Sequence, residues 1–203
     1  MFSNDRDPPD GGAPAVSSRP DRWISPEQYL EVERRAEYKS EYLDGRVYAF
    51  SGASRTHNLI ALNLASELSR QLRRRPCEVY ASAMRLKVSE TGLYTYPDVT
   101  VVCGEPRLED RHADVLLNPT LLVEVLSRST ERHDRGRKAE HYRRIPSLQE
   151  YLLVSQTEPH VERYRRHGER DWLLSEVEGL EAAVELDSIG CRLVLAEVYE
   201  RVL

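Results

Sequence analysis

The sequence predicts an α/β fold in which a mixed central β-sheet is flanked by helices. Helical patterns come first along the chain, short apolar runs rich in β-branched residues follow, and one further helical stretch separates two of these runs. The chain has 203 residues, of which 40% are hydrophobic and 31% charged, so it can bury the core of one globular domain. No apolar run approaches the length of a membrane span, which argues against a membrane class.

The start of the chain is expected to be a disordered tail. It is rich in Pro, Gly, Ser and Asp and shows no helical or strand period. Its first ten residues also lack the hydrophobic segment of a secretory signal. We therefore predict a tail at residues 1–20 and a single domain over residues 21–203.

The domain is predicted to begin with a helix, a hairpin and a longer helix. Ser25 is a helix N-cap, Pro26 suits the first turn and Gln28 completes a capping box, which indicates a helix to about residue 36 or 38. Asp44-Gly45 between alternating runs predicts a β-hairpin. A helix over residues 55–74 is predicted from an apolar stripe formed by Leu59, Leu62, Ala65, Leu68 and Leu72.

Strands dominate the remainder of the predicted domain. Gly and Pro punctuate residues 104–119, which are expected to form a loop, and a helix is expected over residues 132–144 before Pro146. A short helix is expected near residues 195–202. The predicted strands are residues 77–81, 84–88, 96–103, 121–127, 150–155, 160–165 and 170–175.

Charge and cysteine usage limit the compartment and the partners. Cys77, Cys103 and Cys191 form an odd set with no CxxC pair, which argues against a disulfide framework or a zinc site. We expect reduced, mostly buried cysteines in a cytoplasmic protein. The net charge of −5 gives no overall attraction to nucleic acid, so DNA binding would require a local basic patch.

Two carboxylates stand out because each lies in or beside an apolar strand. Glu124 is the only charge within the run at residues 121–127, and Asp98 follows Pro97 at the start of another run. A buried carboxylate is costly unless a cation compensates its charge. Two such groups on neighbouring strands, with Lys138 on the following helix, could hold a divalent metal and stabilise a phosphate.

At Asp98, Glu124 and Lys138 the sequence resembles the PD-(D/E)XK nuclease superfamily and, more narrowly, the Uma-type restriction endonuclease-like proteins of bacteria. The likeness runs from about residue 25 to the C-terminal Leu-Ala-Glu-Val-Tyr stretch. The residues that carry it are Glu41 to Gly45, His57, Pro97 to Val99, Glu124 to Ser127, Ser129, Thr130, Asp134, Lys138, Tyr142 to Leu148, Glu150 and Tyr151.

The chain departs from the superfamily pattern at one position. The superfamily lysine lies two residues after the acidic residue on the same strand, where this chain has Leu126. In the Uma-type pattern the lysine lies on the next helix, which corresponds to Lys138. Asp134, Lys138 and Tyr142 share one helical face at four-residue spacing, so Lys138 could reach the site.

The resemblance implies a restriction endonuclease-like fold and a metal-dependent endonuclease that hydrolyses phosphodiester bonds in DNA. It implies catalytic roles for Asp98, Glu124 and Lys138. Mg²⁺ or Mn²⁺ would be held by Asp98, Glu124, the main chain of Val125 and Glu41. Auxiliary or phosphate-binding roles fall to His57, Asp134, Tyr142 and Arg137. A homodimer would allow both DNA strands to be cut.

Two other functions remain open from the sequence. The chain could be a catalytically weak nucleic-acid-binding member of the same fold. It could also be an interaction protein without a nucleic-acid role, in which Glu124 belongs to a core ion pair. Only the first function requires activity that EDTA abolishes without unfolding the protein.

Overall fold

The computed structural model describes residues 23–50, 52–128 and 130–202. The tail predicted at residues 1–20 and Ser129 lie outside these ranges. Among the described helices, none combines the length and the apolar character needed to cross a bilayer.

The described chain contains short helices and many strands in the predicted order. The helical elements are α1 Pro26–Glu33, α2 Arg55–Leu72, α3 Glu131–His133, a π-helical segment Asp134–Lys138, α4 Ala139–Tyr142 and α5 Leu195–Val198. The strands are β1 Ser40–Leu43, β2 Arg46–Ala49, β3 Cys77–Ala81, β4 Arg85–Val88, β5 Leu93–Thr95, β6 Val99–Cys103, β7 Val115–Leu116, β8 Leu121–Val125, β9 Glu150–Val154, β10 His160–His167, β11 Asp171–Glu178, β12 Ala183–Leu186 and β13 Cys191–Val194.

Local sequence signals fix the first two elements. The Ser25 side chain accepts from the Gln28 N–H and the Gln28 side chain accepts from the Ser25 N–H, so the predicted capping box starts α1. At the hairpin turn Asp44 has φ 49° and Gly45 has φ 80°, the left-handed pair that a two-residue turn requires. A side chain at position 45 would also collide with the ring of Trp23.

The α/β class predicted from the sequence is confirmed, and the sheets are mixed. A six-stranded sheet has the order β11-β10-β9-β8-β6-β3, with only β8 and β9 parallel. A five-stranded sheet has the order β2-β1-β5-β4-β7, and β12 pairs with β13. The single central sheet of the prediction is therefore divided, because β1, β2, β4 and β5 pair with one another instead of joining β6.

The six-stranded sheet is buried on both faces, which explains the nearly continuous apolar run of β8. Leu121, Val123 and Val125 pack into the core cluster that includes α2 and α5. Leu122 faces the opposite side and packs with α4 and the segment that follows it. Because side chains alternate along a strand, Glu124 shares the face of Leu122.

The helix predicted at residues 55–74 is present, but its buried stripe differs from the prediction. Leu62 is 61% exposed, and Leu59 and Ala65 are only partly buried. Leu68 and Leu72 of the predicted stripe are buried as expected, and Ile60 and Leu64 take the place of the other three residues. Both sets have helical spacing, and the packing against the sheet selects between them.

Several predicted segments are subdivided. The helix expected over residues 132–144 is three short pieces with a π-helical centre, and Gly136 lies in that centre. The strand expected over residues 96–103 begins only at Val99, and β5 precedes it. The loop expected at residues 104–119 contains β7, and the hairpin of β12 and β13 was not predicted.

The prediction of reduced cysteines was wrong for two of the three. Cys77 and Cys103 are opposite each other in the antiparallel register of β3 and β6, and they form a disulfide. Cys191 is free and buried. The odd count misled the prediction because the register that pairs these residues cannot be read from their spacing of 26 residues.

Candidate active site

Two adjacent strands place the first pair of carboxylates. Val99 of β6 is opposite Val123 of β8, and one step further the same register opposes Asp98 and Glu124. Opposed residues in an antiparallel pair project to the same face. The Asp98 side chain also accepts a hydrogen bond from the Val125 N–H at 2.8 Å, which holds it against the end of β8.

Lys138 lies at the centre of a buried group of carboxylates. Its Nζ is 3.1 Å from Glu41 Oε1, 3.2 Å from Glu124 Oε1 and 3.4 Å from Asp134 Oδ1. The Lys138 side chain is only 4% exposed. The ring of Phe50 covers the ammonium at 5.7 Å. One lysine thus contacts carboxylates from β1, β8 and the π-helical segment.

The interrupted helix positions Lys138 and its neighbours. Asp134 and Lys138 are four residues apart and both are buried, and the Tyr142 hydroxyl donates to Glu124 Oε1 at 2.7 Å. The expected common face of residues 134, 138 and 142 is therefore directed at Glu124. Leu126, where the superfamily lysine would lie, is buried in an apolar cluster instead. Short π-helical segments often occur at functional sites in other proteins.

The burial of this group shifts its pKa values in different directions. Burial raises the pKa of Glu124 well above its usual value, and the nearby charges of Asp134 and Asp98 raise it further. Burial likewise raises the pKa of Asp134. Burial opposes the charge on Lys138, but Glu124, Glu41 and Asp134 more than offset it, so the pKa of Lys138 is raised well above its usual value. Lys138 is therefore a permanent cation here.

Glu41 is the best-compensated carboxylate of the group. Thr95 donates to its Oε1 at 2.5 Å, and Nε2 of His133 lies 3.2 Å from its Oε2. Burial raises its pKa, but the His133 hydrogen bond and the charge of Lys138 outweigh burial and lower the pKa to about 2. The contacts of Thr95 and His133 were not predicted, because no sequence spacing links residues 41, 95 and 133.

His57 contacts the carboxylate of Asp98. Ser54 caps α2 through the N–H of His57, and this places the His57 ring so that Nε2 is 3.1 Å from Asp98 Oδ2. Burial lowers the pKa of His57, but hydrogen bonds to Asp98 and to the Val125 backbone, with the charge of Asp98, raise it overall. The His57 ring thus interacts with both the Asp98 carboxylate and the Val125 main chain.

The charged group lines a cavity of about 1000 Å³ through Glu41, His57, Asp98, Glu124, Asp134 and Lys138. Its walls come from the β1–β2 hairpin, the start of α2, residues 126–141 and residues 155–160. Seven of the eight predicted side chains lie in or directly beside the charged group: Glu41, His57, Asp98, Glu124, Asp134, Lys138 and Tyr142. The eighth, Arg137, is exposed and lines the cavity without joining the charged group.

The donor set fits a hard divalent cation. In the part of the chain that the structure describes, Lys138 and Tyr142 contact Oε1 of Glu124. The Val125 N–H and the His57 ring contact Oδ2 of Asp98. These contacts leave the second oxygen of each carboxylate to a further partner. Asp134 Oδ1 is buried and has no hydrogen-bond partner among the described residues. Carboxylate and main-chain oxygens are the ligands that Mg²⁺ and Mn²⁺ prefer.

A separate candidate metal group lies on the hairpin of β10 and β11. Ligand atoms of His160, Glu176 and Glu178 lie within 4.8 Å of one another. Nε2 of His160 is 3.7 Å from Glu176 and 3.9 Å from Glu178, and both glutamates are exposed. Exposed acidic groups commonly occur without a metal. This group was not predicted from the sequence, because its residues come together only through the register of the hairpin.

The fold and the buried group of carboxylates with one lysine define a restriction endonuclease-like protein. A solved structure described as a putative nuclease belonging to DUF820, from Anabaena variabilis, matches the fold with a TM-score of 0.72. It is 17% identical, and the match covers 89% of this chain and 99% of that chain.

The family follows from the sequence comparison. The family model "Uma2: Putative restriction endonuclease" matches residues 26–196, and the chain belongs to this family. Membership supports a nuclease in general. Two relatives from Synechocystis are named uncharacterized proteins sll1609 and slr1290. The first is 41% identical over 78% of this chain and 89% of the relative, and the second is 38% identical over 90% and 94%.

Proposed function

We propose that the protein is a metal-dependent endonuclease that hydrolyses phosphodiester bonds in DNA. The observation that carries this proposal is the excess of negative charge at one point. Three carboxylates, Glu41, Glu124 and Asp134, contact the ammonium of Lys138, and a fourth, Asp98, contacts the ring of His57. A core ion pair needs one carboxylate per cation, so the excess favours a site that is completed by a divalent cation.

The cation would bind the second oxygens of Asp98 and Glu124 together with the main chain of Val125. Bound there, Mg²⁺ or Mn²⁺ supplies charge neutralisation at the phosphate and activation of the attacking water. Glu41 is held by Thr95, His133 and Lys138, so its role is to keep Lys138 in place and charged. The Lys138 ammonium would stabilise the negative charge that develops on the phosphate during hydrolysis.

Calorimetric titration of Mg²⁺ and Mn²⁺ into the protein is the first test of this proposal. We expect binding by the wild type and none by the D98N/E124Q double variant. The titration is repeated with a short oligonucleotide present, because a substrate phosphate can serve as a metal ligand. Absence of binding under both conditions would favour the structural ion-pair interpretation.

Nicking of supercoiled plasmid and cleavage of labelled oligonucleotides test the chemistry itself. We expect cleavage with Mg²⁺ or Mn²⁺ that stops on addition of EDTA, while circular dichroism shows that the fold persists. DNA binding without cleavage at any metal concentration would favour the catalytically weak binding protein. Steep salt dependence of that binding would identify phosphate contacts.

We also propose a homodimer that acts in the bacterial cytoplasm, where its DNA substrate lies. The strand β11 is at the edge of the six-stranded sheet and exposes Leu173 and Leu174, which makes this edge the candidate interface. Light scattering coupled to size-exclusion chromatography would test the dimer, and a monomeric mass would rule it out.

A further inference from the structure

We propose that the DNA strand enters this site unpaired, with its bases against Tyr48 and Phe50 and its phosphates against Arg128 and Arg137. The inference rests on the proposed function, because it names the substrate of the same site. It requires DNA that is single-stranded at the point of cleavage, as in a free strand, a flap or a gap.

The burial of the carboxylates that line the cavity is the first argument. Glu124 is 4% exposed, and the Asp98 side chain is 14% exposed. The cavity that they line measures about 1000 Å³. Cavities of about 300–1000 Å³ hold small molecules, and two paired strands with their grooves are far larger. The scissile phosphate can therefore reach Asp98 and Glu124 on a single strand, whereas a paired duplex would stay at the mouth.

One wall of the cavity carries aromatic side chains. Tyr48 lies on β2, an edge strand, is 39% exposed and lines the cavity. Phe50 follows it and packs edge-on against Tyr96 at 6.0 Å. An exposed tyrosine beside a fixed phenylalanine offers surfaces on which unpaired bases can stack. Bases inside a duplex are already stacked on one another and cannot use this wall.

The same cavity is also lined by cations that are not paired with carboxylates. Arg128 and Arg137 are exposed and line the cavity. Their neighbour Arg135 pairs with Glu131 and Glu162. Neither Arg128 nor Arg137 has a carboxylate within 4.0 Å among the described residues. These two guanidinium groups are therefore free to bind phosphates.

A cavity lined by both aromatic rings and basic side chains is the arrangement that holds single strands in other proteins. There the basic groups follow the phosphates and the aromatic rings accept the bases. The carboxylates of the candidate site and Lys138 line the same cavity. The geometry thus brings the backbone of a single strand to Asp98 and Glu124.

Binding of DNA to the E124Q variant tests the inference without cleavage. Fluorescence anisotropy would compare a labelled single strand with a hairpin-closed duplex of the same sequence, which has no free ends. We expect the single strand to bind at least tenfold more tightly at the same salt concentration. Equal affinity, or tighter binding of the closed duplex, would overturn the inference.

Substitutions of the aromatic and basic lining residues locate the contacts. Y48L should weaken single-strand binding by roughly fivefold or more, the range that loss of one stacked base gives. R137Q should lower the salt slope by about 0.7, the value for one phosphate of a single strand. Y38L and R170Q are the controls, because both residues are exposed outside the cavity. Equal effects of the controls and the cavity variants would contradict the assignment. Phe50 is left unchanged because its ring covers Lys138.

Cleavage by the wild type separates failure of this inference from failure of the proposed function. With Mg²⁺ or Mn²⁺ we expect cuts in single strands, and in duplexes only within flaps or gaps. Cleavage of the closed duplex at an equal or higher rate would overturn the inference and leave the endonuclease proposal intact. Cleavage of neither substrate, with no binding by E124Q, would overturn both.

Discussion

Two buried glutamates in this protein have different environments, and the difference indicates different roles. Glu150 is fully buried and contacts Ser188 and Arg163, outside the cavity. Glu124 is equally apolar in its strand context but contacts Lys138 and Tyr142, with Asp98 and Asp134 nearby. Glu150 has a basic partner in Arg163, whereas Glu124 shares Lys138 with Glu41 and Asp134, as expected for a site that binds a further cation.

E124Q should abolish metal-dependent cleavage with a change of less than about 1 kcal/mol in the free energy of unfolding at neutral pH. The amide oxygen can still accept from Tyr142, and a buried charge is removed. Because the pKa of Glu124 is raised on folding, its ionisation costs stability as the pH rises above the usual value of 4.5. The stability of E124Q relative to wild type should therefore increase with pH, as measured by urea unfolding.

E150Q is the matched control for this experiment. It should leave the cleavage rate of the folded protein unchanged, and its effect should appear in stability alone. Destabilisation of E124Q by about 3–5 kcal/mol, the loss that follows when a buried ion pair is broken, would identify Glu124 as a core ion-pair residue.

E41Q should show the opposite dependence on pH. The pKa of Glu41 is lowered to about 2 from 4.5, so the charged form stabilises the fold above pH 4.5 and this contribution disappears as the pH falls toward 2. We expect a loss of about 2–3 kcal/mol at pH 7. Unfolding of E41Q and wild type by urea at pH 7, 4 and 2.5 should show the difference shrinking, whereas a constant difference would exclude a linked proton.

K138A should lower turnover by at least about 100-fold in the folded protein, because it removes the ammonium that we propose to stabilise the phosphate. Its affinity for Mg²⁺ should not fall, since removing a cation leaves more negative charge around the metal. The variant should also unfold more easily because three carboxylates lose their partner. Single-turnover kinetics at saturating Mg²⁺ would measure the first effect, and unchanged turnover would exclude a catalytic Lys138.

At the scale of elements, segments that are distant in the sequence pair with one another, and no local sequence pattern predicts these pairings. The π-helical segment directs Asp134 and Lys138 toward β8, and the pairing of β3 with β6 brings Cys77 to Cys103. The disulfide therefore connects β3, the edge strand of the six-stranded sheet, to β6, which begins directly after Asp98.

Replacing the disulfide should destabilise this edge. C77S/C103S should lose about 2–4 kcal/mol in the free energy of unfolding under non-reducing conditions, because the cross-link restricts the unfolded chain. The wild type should lose a similar amount on reduction, and C191S should not. Thiol titration of denatured wild-type protein should find one free cysteine. Three free thiols would support the reduced cysteines that the sequence alone suggested.

At the scale of the whole molecule, metal binding should stabilise the fold because the ligands come from separate segments. Of the proposed ligands, Asp98 precedes β6, whereas Glu124 and Val125 end β8. A cation bound only by the folded chain at 100 times its Kd contributes about 2.7 kcal/mol. Differential scanning fluorimetry should therefore show a Tm that rises with Mg²⁺ in the wild type and stays constant in D98N/E124Q. A similar rise in both would place the metal elsewhere, such as at His160 and Glu176.

The sequence by itself determined the α/β class, the capped first helix, the Asp44-Gly45 hairpin and the strand that carries Glu124. These features depend on local chemistry: a side-chain cap, a left-handed turn and an apolar run. It also supplied the candidate residues through a family resemblance, and the chain is a member of the corresponding family.

Only the tertiary structure decided which residues meet. It selected Ile60 and Leu64 over Leu59 and Leu62 as the buried face of α2, divided the sheet and joined Cys77 to Cys103. It also placed Thr95 and His133 on Glu41, and it brought aromatic and basic side chains to the lining of one cavity. Strand register and packing between distant segments set these contacts, and neither leaves a periodic signal in the sequence.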